Sequence, residues 1–317
     1  MLPGMSGKHS ATRTMKRTMK PRIAIVGAGS LARALAASLR EAGYVIDQII
    51  ARPETASLRR ARRLAAEVGA SAVVAEKAQI QAEVVWFCVP DATIRSAAES
   101  LIGAADFKAT NWRGKVALHS SGALTSDELS ALRRPGLHQQ GAAVASVHPL
   151  MTFVRGSQPS LQGVPFAIEG DKKAVAAARQ IVISLRGKPF TIRKQDKEAY
   201  HAWGMFASPL LAALLAVGEK VAVAAGVPRK AAKARALPIL KQTLANYSAL
   251  GAAESFSGPI ARGDVETVRK HLRVLGTIPG AREVYVALAR AALRDLPAKN
   301  RADLEKLLQD SRKAATH

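Results

Sequence analysis

The segment "RIAIVGAGSLARALAASL", Arg22–Leu39, decides how the first half of the chain is read. Ile23–Val26 is an apolar run of strand length, and Leu31, Leu35, Ser38 and Leu39 then recur on one face at helical spacing. Between them stands Gly27-Ala28-Gly29-Ser30-Leu31-Ala32, a G-x-G-x-x-A turn in the strand–turn–helix context that a dinucleotide site requires. The first glycine permits the tight turn, the second lets a pyrophosphate approach the backbone, and Ala32 is small enough for helix–strand packing. The helix start, at Ser30 and Leu31, offers free N–H groups to an anion.

Outward from this turn, apolar runs alternate with helical patterns. Candidate strands are Ile23–Val26, Val45–Ile50, Ala72–Val74, Val84–Val89, Val116–His119, Val144–His148, Pro165–Ile168 and Pro189–Ile192. Ala61, Leu64, Ala65 and Val68 share a helical face between the second and third. Such alternation predicts an α/β fold, a Rossmann-type doubly wound and mostly parallel sheet. The later strands are closer together and leave room for an antiparallel edge. From Lys194 onward only helical periodicity is found, broken at Gly226-Val227-Pro228, Ser257-Gly258-Pro259 and Thr277-Ile278-Pro279-Gly280. The expected organisation is an extension over 1–20, disordered or wrongly assigned to the chain, a dinucleotide-binding domain over 21–192 and an all-helical C-terminal domain over 193–317.

The second strand bears on which dinucleotide is held. An acidic residue near its end would accept from a ribose 2′-hydroxyl, as in NAD binders. Here "VIDQIIARPE" places Asp47 too early and ends on Arg52, with Arg59, Arg60, Arg62 and Arg63 following. A guanidinium suits the 2′-phosphate of NADP, although some of these arginines form a solvated helix face. Val89-Pro90-Asp91 closes the fourth strand at the edge where ligands bind. Cys88, in the apolar run before it, reads as an inert core thiol.

Three histidines stand where chemistry could occur: His119 in "ALHSSGAL", His148 in "ASVHPLMTF" and His201 in "KEAYHAWGMFASP". Each could equally be a hydrogen-bonded structural residue. Their spacing matches no metal motif, so no metal is expected.

The 317 residues carry a formal net charge of +23, with five of the basic residues and no acidic one in the first 20. Aromatic residues make up only 4%, and no zinc-finger or RNA-binding motif appears, so attraction of an anionic cofactor or substrate is preferred to nucleic acid. The single cysteine precludes an intramolecular disulfide and fits a reducing, cytoplasmic location. The start of the chain lacks the apolar core of a secretory signal. "MFASPLLAALLAVG", Met205–Gly218, is 14 residues long and reads as a buried core helix rather than a membrane span.

The motifs "GAGSLA", "VPD", "HSSGAL", "SVHPLMTF", "AYHAWGMFAS" and "SGPIARGDVETVRKHL", in this order from Pro21 to Leu293, resemble the Rossmann-like proteins with a C-terminal DUF2520 domain. That family is similar to the 6-phosphogluconate dehydrogenase, pyrroline-5-carboxylate reductase and ketopantoate reductase group. The resemblance implies NADP binding, oxidoreductase activity without an assigned substrate, and a helical domain that often forms a homodimer, while the basic charge of the chain points to a small, anionic substrate. It also implies that His119, Ser120, Ser121 and Gly122 lie near the nicotinamide, followed by His148-Pro149 and Tyr200-His201. The related dehydrogenases use a lysine on the first helix of the second domain as acid/base. Lys197 and His201, four residues apart, share a helix face and are the two candidates, with the histidine preferred because a lysine needs burial to serve as acid/base at neutral pH.

Arg262 is a candidate anchor for a substrate carboxylate or phosphate, while Asp264 can cap the next helix. His271, further along that helix, reads as structural. The family often has Phe-Ala-Ser-Asn where this chain has Phe206-Ala207-Ser208-Pro209. That departure keeps a second possibility open, an NADP-binding sensor or scaffold without turnover.

Overall fold

The computed structural model describes residues 20–102, 111–133 and 141–313, so the expected extension over 1–20 lies almost wholly outside the described residues. The chain divides into two compact units, with the boundary after Gly204.

Unit 1 is built on eight strands: β1 (Ile23–Val26), β2 (Ile46–Ala51), β3 (Ser71–Val74), β4 (Val84–Phe87), β5 (Val116–His119), β6 (Ala143–Pro149), β7 (Pro165–Gly170) and β8 (Lys188–Thr191). They form one sheet in the order β3-β2-β1-β4-β5-β6-β7-β8. Helices α1 (Ser30–Glu41), α2 (Thr55–Val68), α3 (Ile94–Ser100) and α4 (Lys172–Ser184) connect them.

The apolar runs become strands because both sheet faces are covered. On one face Leu35 and Leu39 of α1, Leu64 of α2 and Ile181 of α4 pack against Ile25, Trp86 and Leu118. On the other, Ile94 of α3 and Leu129 and Leu132 of the 3-10 segment Ser126–Arg133 pack against Val26, Phe87 and Val144. This is the doubly wound arrangement.

β1 to β6 pair in parallel, while β6 and β7 are antiparallel and β8 is parallel to β7. The change of direction therefore falls inside the sheet and carries two strands with it. The connection from β6 to β7 holds no helix to return the chain across the sheet, whereas α4 supplies that crossover between β7 and β8.

α5 (Lys197–Ala207) follows β8, and the boundary between the units falls within it. The helices of unit 2 are α6 (Pro209–Ala224), α7 (Arg229–Ser255), α8 (Pro259–Arg262), α9 (Val265–Leu275), α10 (Ala281–Asp295) and α11 (Arg301–Lys313). Three of their five breaks fall at the Gly/Pro loops read from the sequence. Val268 and Leu272 of α9, Leu293 of α10 and Leu304 and Leu308 of α11 form the main core of this unit.

The expectation of a buried helix over 205–218 is corrected. Pro209 takes the first position of α6, where its missing N–H costs no helical bond, and α6 contains no buried residue. The apolar stretch is also longer than it looks in the sequence. Lys194–Ala224 contains an 18-residue window of mean hydropathy 1.6, long and apolar enough by length and composition to cross a membrane. Hydropathy records a demand for cover, and among the described residues that demand is met only in part, where Val217 and Val221 pack against Leu275, Ile278 and Ala281.

The sheet interior yields the first test. Leu118→Ala, in a fully buried position of β5, is expected to lower unfolding free energy by about 2–5 kcal/mol. Ile183→Ala on the exposed face of α4 should change it by less than about 0.5 kcal/mol. Urea unfolding of both variants measures the contrast.

Candidate functional site

The glycine turn has the shape of a phosphate cradle. Gly27 has a φ of 105°, and a Cβ there would sit 2.4 Å from the Cys88 carbonyl oxygen, so only glycine fits between β1 and β4. A Cβ on Gly29 would meet nothing within 4 Å, which leaves open space above the turn. Gly29 caps α1 without a side-chain hydrogen bond, and no acidic residue stands in the first turn. The leading N–H groups at Ser30 and Leu31 therefore have no carboxylate or hydroxyl cap, and the helix end favours an anion.

A cleft of about 570 Å³ opens over this turn, lined by Gly27, Gly29, Arg52, Ser57, Arg60, Val89 and Pro90 among others. Arg52, just past β2, is 68% exposed and only 3.6 Å from Glu54 in a loose surface pair that leaves its guanidinium open to a ligand. Asp47 is engaged elsewhere, accepting from Arg22 Nε at 2.6 Å. Of the arginines on α2, Arg60 lines the cleft and Arg59, Arg62 and Arg63 do not. Ser57 is a lining residue that sequence reasoning passed over.

Cys88 is buried beside this turn, and burial pushes its thiol up to about 12, against a lesser opposing effect of the Ser120 hydroxyl. It stays a protonated core group at neutral pH.

The loop after β5 is braced by its own side chains. Ser121 N–H donates to His119 Nδ1 at 3.1 Å, which places the ring proton on Nε2, 2.9 Å from the Thr125 carbonyl oxygen that accepts it. Burial lowers His119 to about 4, and the nearby Lys197 charge adds to the effect. With both nitrogens occupied, this neutral imidazole shapes the loop. Ser120 Oγ accepts from Trp86 Nε1 at 2.9 Å. Ser121 Oγ donates to Asp91 Oδ2 at 2.7 Å and accepts from Leu124 N–H at 2.9 Å.

α5 brings the remaining groups. Lys197 is completely buried, and its Nζ donates to Ser146 Oγ at 2.7 Å and to the Ser121 carbonyl at 3.1 Å. Burial lowers its ammonium to about 8, opposed by the charges of Glu169 and Asp91. Tyr200 Oη and His148 Nδ1 lie 3.2 Å apart in a shared hydrogen bond, and burial pushes the phenol up to about 12. Burial lowers His148 to about 4, with the Lys197, His201 and His119 charges acting in the same direction.

His148 and His201 meet edge to face with ring centroids 6.3 Å apart. Gly122 lies against both: a Cβ there would stand 2.7 Å from His201 Cδ2 and 2.9 Å from His148 Nε2. Thus Asp91, His119, Ser121, His148, Lys197 and His201 form one hydrogen-bonded and packed cluster in unit 1. Ser146 and Glu169 belong to its surroundings and were not singled out from the sequence. A carboxylate in the otherwise apolar "PFAIEG" strand was the available signal.

In unit 2, Arg262 is exposed at the end of α8. Asp264 caps α9, accepting from Thr267 N–H at 3.1 Å and from Thr267 Oγ1 at 2.7 Å. His271 Nδ1 lies 3.2 Å from Tyr285 Oη, a pairing consistent with a structural role.

Residues 22–110 match the family described as NADP oxidoreductase coenzyme F420-dependent, and residues 164–292 match DUF2520, a domain of unknown function. The chain therefore carries an NADP-oxidoreductase-type domain followed by a DUF2520 domain. No curated protein matches it. Among solved structures it is similar to a protein described as "putative NADP oxidoreductase" from Bacteroides fragilis, at 20% identity and a TM-score of 0.70 over 86% of this chain and 97% of that one. It is also similar to an imine reductase from Pseudomonas sp., at 22% identity and a TM-score of 0.58 over 92% and 100%. A pyrroline-5-carboxylate reductase from Coxiella burnetii matches at 14% identity and a TM-score of 0.52 over 93% and 98%. At these identities the likeness is one of fold.

Two tests follow. Gly122→Ala should displace the imidazoles of His148 and His201, moving their ¹⁵N–¹H resonances while those of His271 stay in place. Second, His148 is lowered from 6.5 to about 4 in the folded protein, so the unfolded chain binds the extra proton between those values. His148 therefore contributes a loss of stability as pH falls from about 6.5 to about 4. Urea unfolding across that range should show a shallower decline for His148→Asn than for wild type.

Proposed function

We propose that this chain is an NADP-dependent oxidoreductase acting on a small, anionic substrate. The observation that carries the reading is the cleft in which the open Gly29 turn and the uncapped start of α1 face Arg52 and Arg60. A pyrophosphate would lie on the turn, at Gly27, Gly29, Ser30 and Leu31. Arg52, with Arg60 and Ser57, would hold the 2′-phosphate that distinguishes NADP. Val89, Pro90 and Asp91 after β4, and the His119-Ser120 loop after β5, would line the path toward the nicotinamide. The cofactor, when bound, supplies or accepts the hydride.

The chain's own residues handle the proton and the orientation. His201 is the proposed proton donor or acceptor. His148 stays neutral at physiological pH, and with Tyr200 donating to Nδ1 its Nε2–H becomes a fixed donor on the Gly122 side. Ser121, held by Asp91, orders the loop beneath both rings. Lys197 supplies a buried positive charge under the same loop, and Arg262 is the proposed anchor for the substrate's negative charge. Reduction of imines and oxo acids is the chemistry to test first, in keeping with the reductases whose fold the chain shares.

The uncovered apolar surface of unit 2 supports a homodimer through the helical domain. Ile239 of α7 is 68% exposed, and Leu244, Tyr247 and Leu250 on the same helix are more than half exposed. Apolar patches of this kind are normally covered by a partner. A second copy with the same demand is the proposed cover, rather than a membrane, and the proposed location is cytoplasmic.

Fluorescence titration should show at least about tenfold tighter binding of NADPH than of NADH. Arg52→Ala and Arg60→Ala should each weaken NADPH by roughly 1.5–3 kcal/mol, the worth of a charged hydrogen bond, while leaving NADH nearly unchanged. Equal affinities in the wild type would refute the NADP reading. NADPH consumption with cyclic imines and oxo acids should fall at least about 100-fold in His201→Ala, within the range for general acid–base catalysis. Binding without any turnover would instead favour a sensor. Sedimentation should show a dimer that Ile239→Glu with Leu244→Glu converts to monomer.

A further inference from the structure

Buried polar side chains seldom stand side by side across a sheet interior. In unit 1 three of them do. Register pairs His119 of β5 with Ser146 of β6, and Ser146 with Glu169 of β7, so their side chains share one face. Each is buried, on a face where the next position along the row is Phe87 of β4. Both ends of the row have local tasks: His119 braces its loop, and Glu169 accepts from Ser126 N–H at 2.6 Å and from Ser126 Oγ at 2.9 Å.

Ser146, in the middle, has a different pair of partners. Its Oγ donates to the Ser121 carbonyl at 3.1 Å and accepts from Lys197 Nζ at 2.7 Å. The Lys197 ammonium donates to the same carbonyl. Three groups from β6, α5 and the loop after β5 thus close a small ring of hydrogen bonds. An ammonium without exposure needs such partners, because an unpaired buried charge is very costly. Strand packing makes no such demand for a hydroxyl, since Val144 on the same face of β6 is apolar.

We propose that Ser146 is a positioning residue for Lys197, clamping its ammonium beneath the Ser121–Gly122 turn so that charge and turn move as one body. This deepens the reading of the site given above, because Gly122 is the residue against which both His148 and His201 rest. Held in this way, the lysine acts as a fixed charge. It is one of the influences that keep His148 neutral, so the clamp reaches the reacting pair without touching substrate.

Competitive acetylation at a single pH of about 6, well below the value of about 8 to which burial lowers Lys197, read lysine by lysine by mass spectrometry, tests the clamp on the whole protein. Ser146→Ala should raise acetylation of Lys197 at least about tenfold relative to the other lysines, the factor expected for one charged hydrogen bond lost. It should also shift the His148 ¹⁵N resonances. Ser146→Thr keeps the hydroxyl and should restore both readouts. If the alanine variant does not fold, Ser146→Cys, which keeps the volume and weakens the acceptor, supports the same comparison.

Unchanged Lys197 labelling, or a rise spread over all lysines, overturns the proposal. The measurement uses neither cofactor nor substrate. A chain that never oxidised NADPH would leave the clamp standing, and a failed clamp would leave cofactor binding untouched.

Discussion

Parallel pairing of β2, β1, β4, β5 and β6 brings their carboxyl ends to one edge of the sheet, at a spacing of about 4.8 Å per strand. Every group of the candidate site that follows or ends one of these strands depends on that constraint, and α5 brings the rest. The glycine turn follows β1, Arg52 follows β2, Val89-Pro90 follows β4 and the braced loop follows β5, while His148 is the last residue but one of β6. The cleft forms between β1 and β4, where the chain leaves to opposite sides of the sheet. Gly27 is the price of bringing the turn within contact of the Cys88 carbonyl at that place.

The strands were legible because each is a short apolar run, and the doubly wound class followed from their alternation with helices. Direction was less legible. Pro165–Ile168 reads the same whether β7 runs with β6 or against it, and only the missing crossover helix, visible once the connection is traced, decides the matter. The helix over 209–224 shows a second limit. Its leucines and valines state that something must cover them, and a single sequence does not say whether the cover is intramolecular.

The site was legible at its punctuation and opaque at its supports. Gly27, Gly29, Arg52, His119 and His148 stand at or beside element ends, where turn chemistry and strand termination mark them, and His201 was marked by its helical spacing from Lys197. Ser146 and Glu169 lie within strands, and their significance comes from a register that joins segments far apart in the chain. Arg60 was visible as one of four arginines, but helix phase against the cleft singles it out. Tyr200 was named only for its place beside His201, and its hydroxyl turned out to meet His148.

Three histidines that look equivalent in the sequence are made unequal by their partners. His119 has an amide donor on one nitrogen and a carbonyl acceptor on the other, a combination that only the neutral ring satisfies. His148 has one nitrogen on Tyr200 and a buried cation nearby, so taking up a proton would add charge where charge is already costly. Among the described residues, His201 is held by packing against His148 and Gly122. A group proposed to gain and lose a proton during a reaction needs an uncommitted nitrogen, which rules against His119 and leaves His148 and His201. The burial and neighbouring charges that hold His148 neutral favour His201. The geometry of Lys197 weighs against the same task. Leaving its two acceptors for a substrate would open the ring that secures the Ser121–Gly122 turn, and with it the surface on which both imidazoles rest.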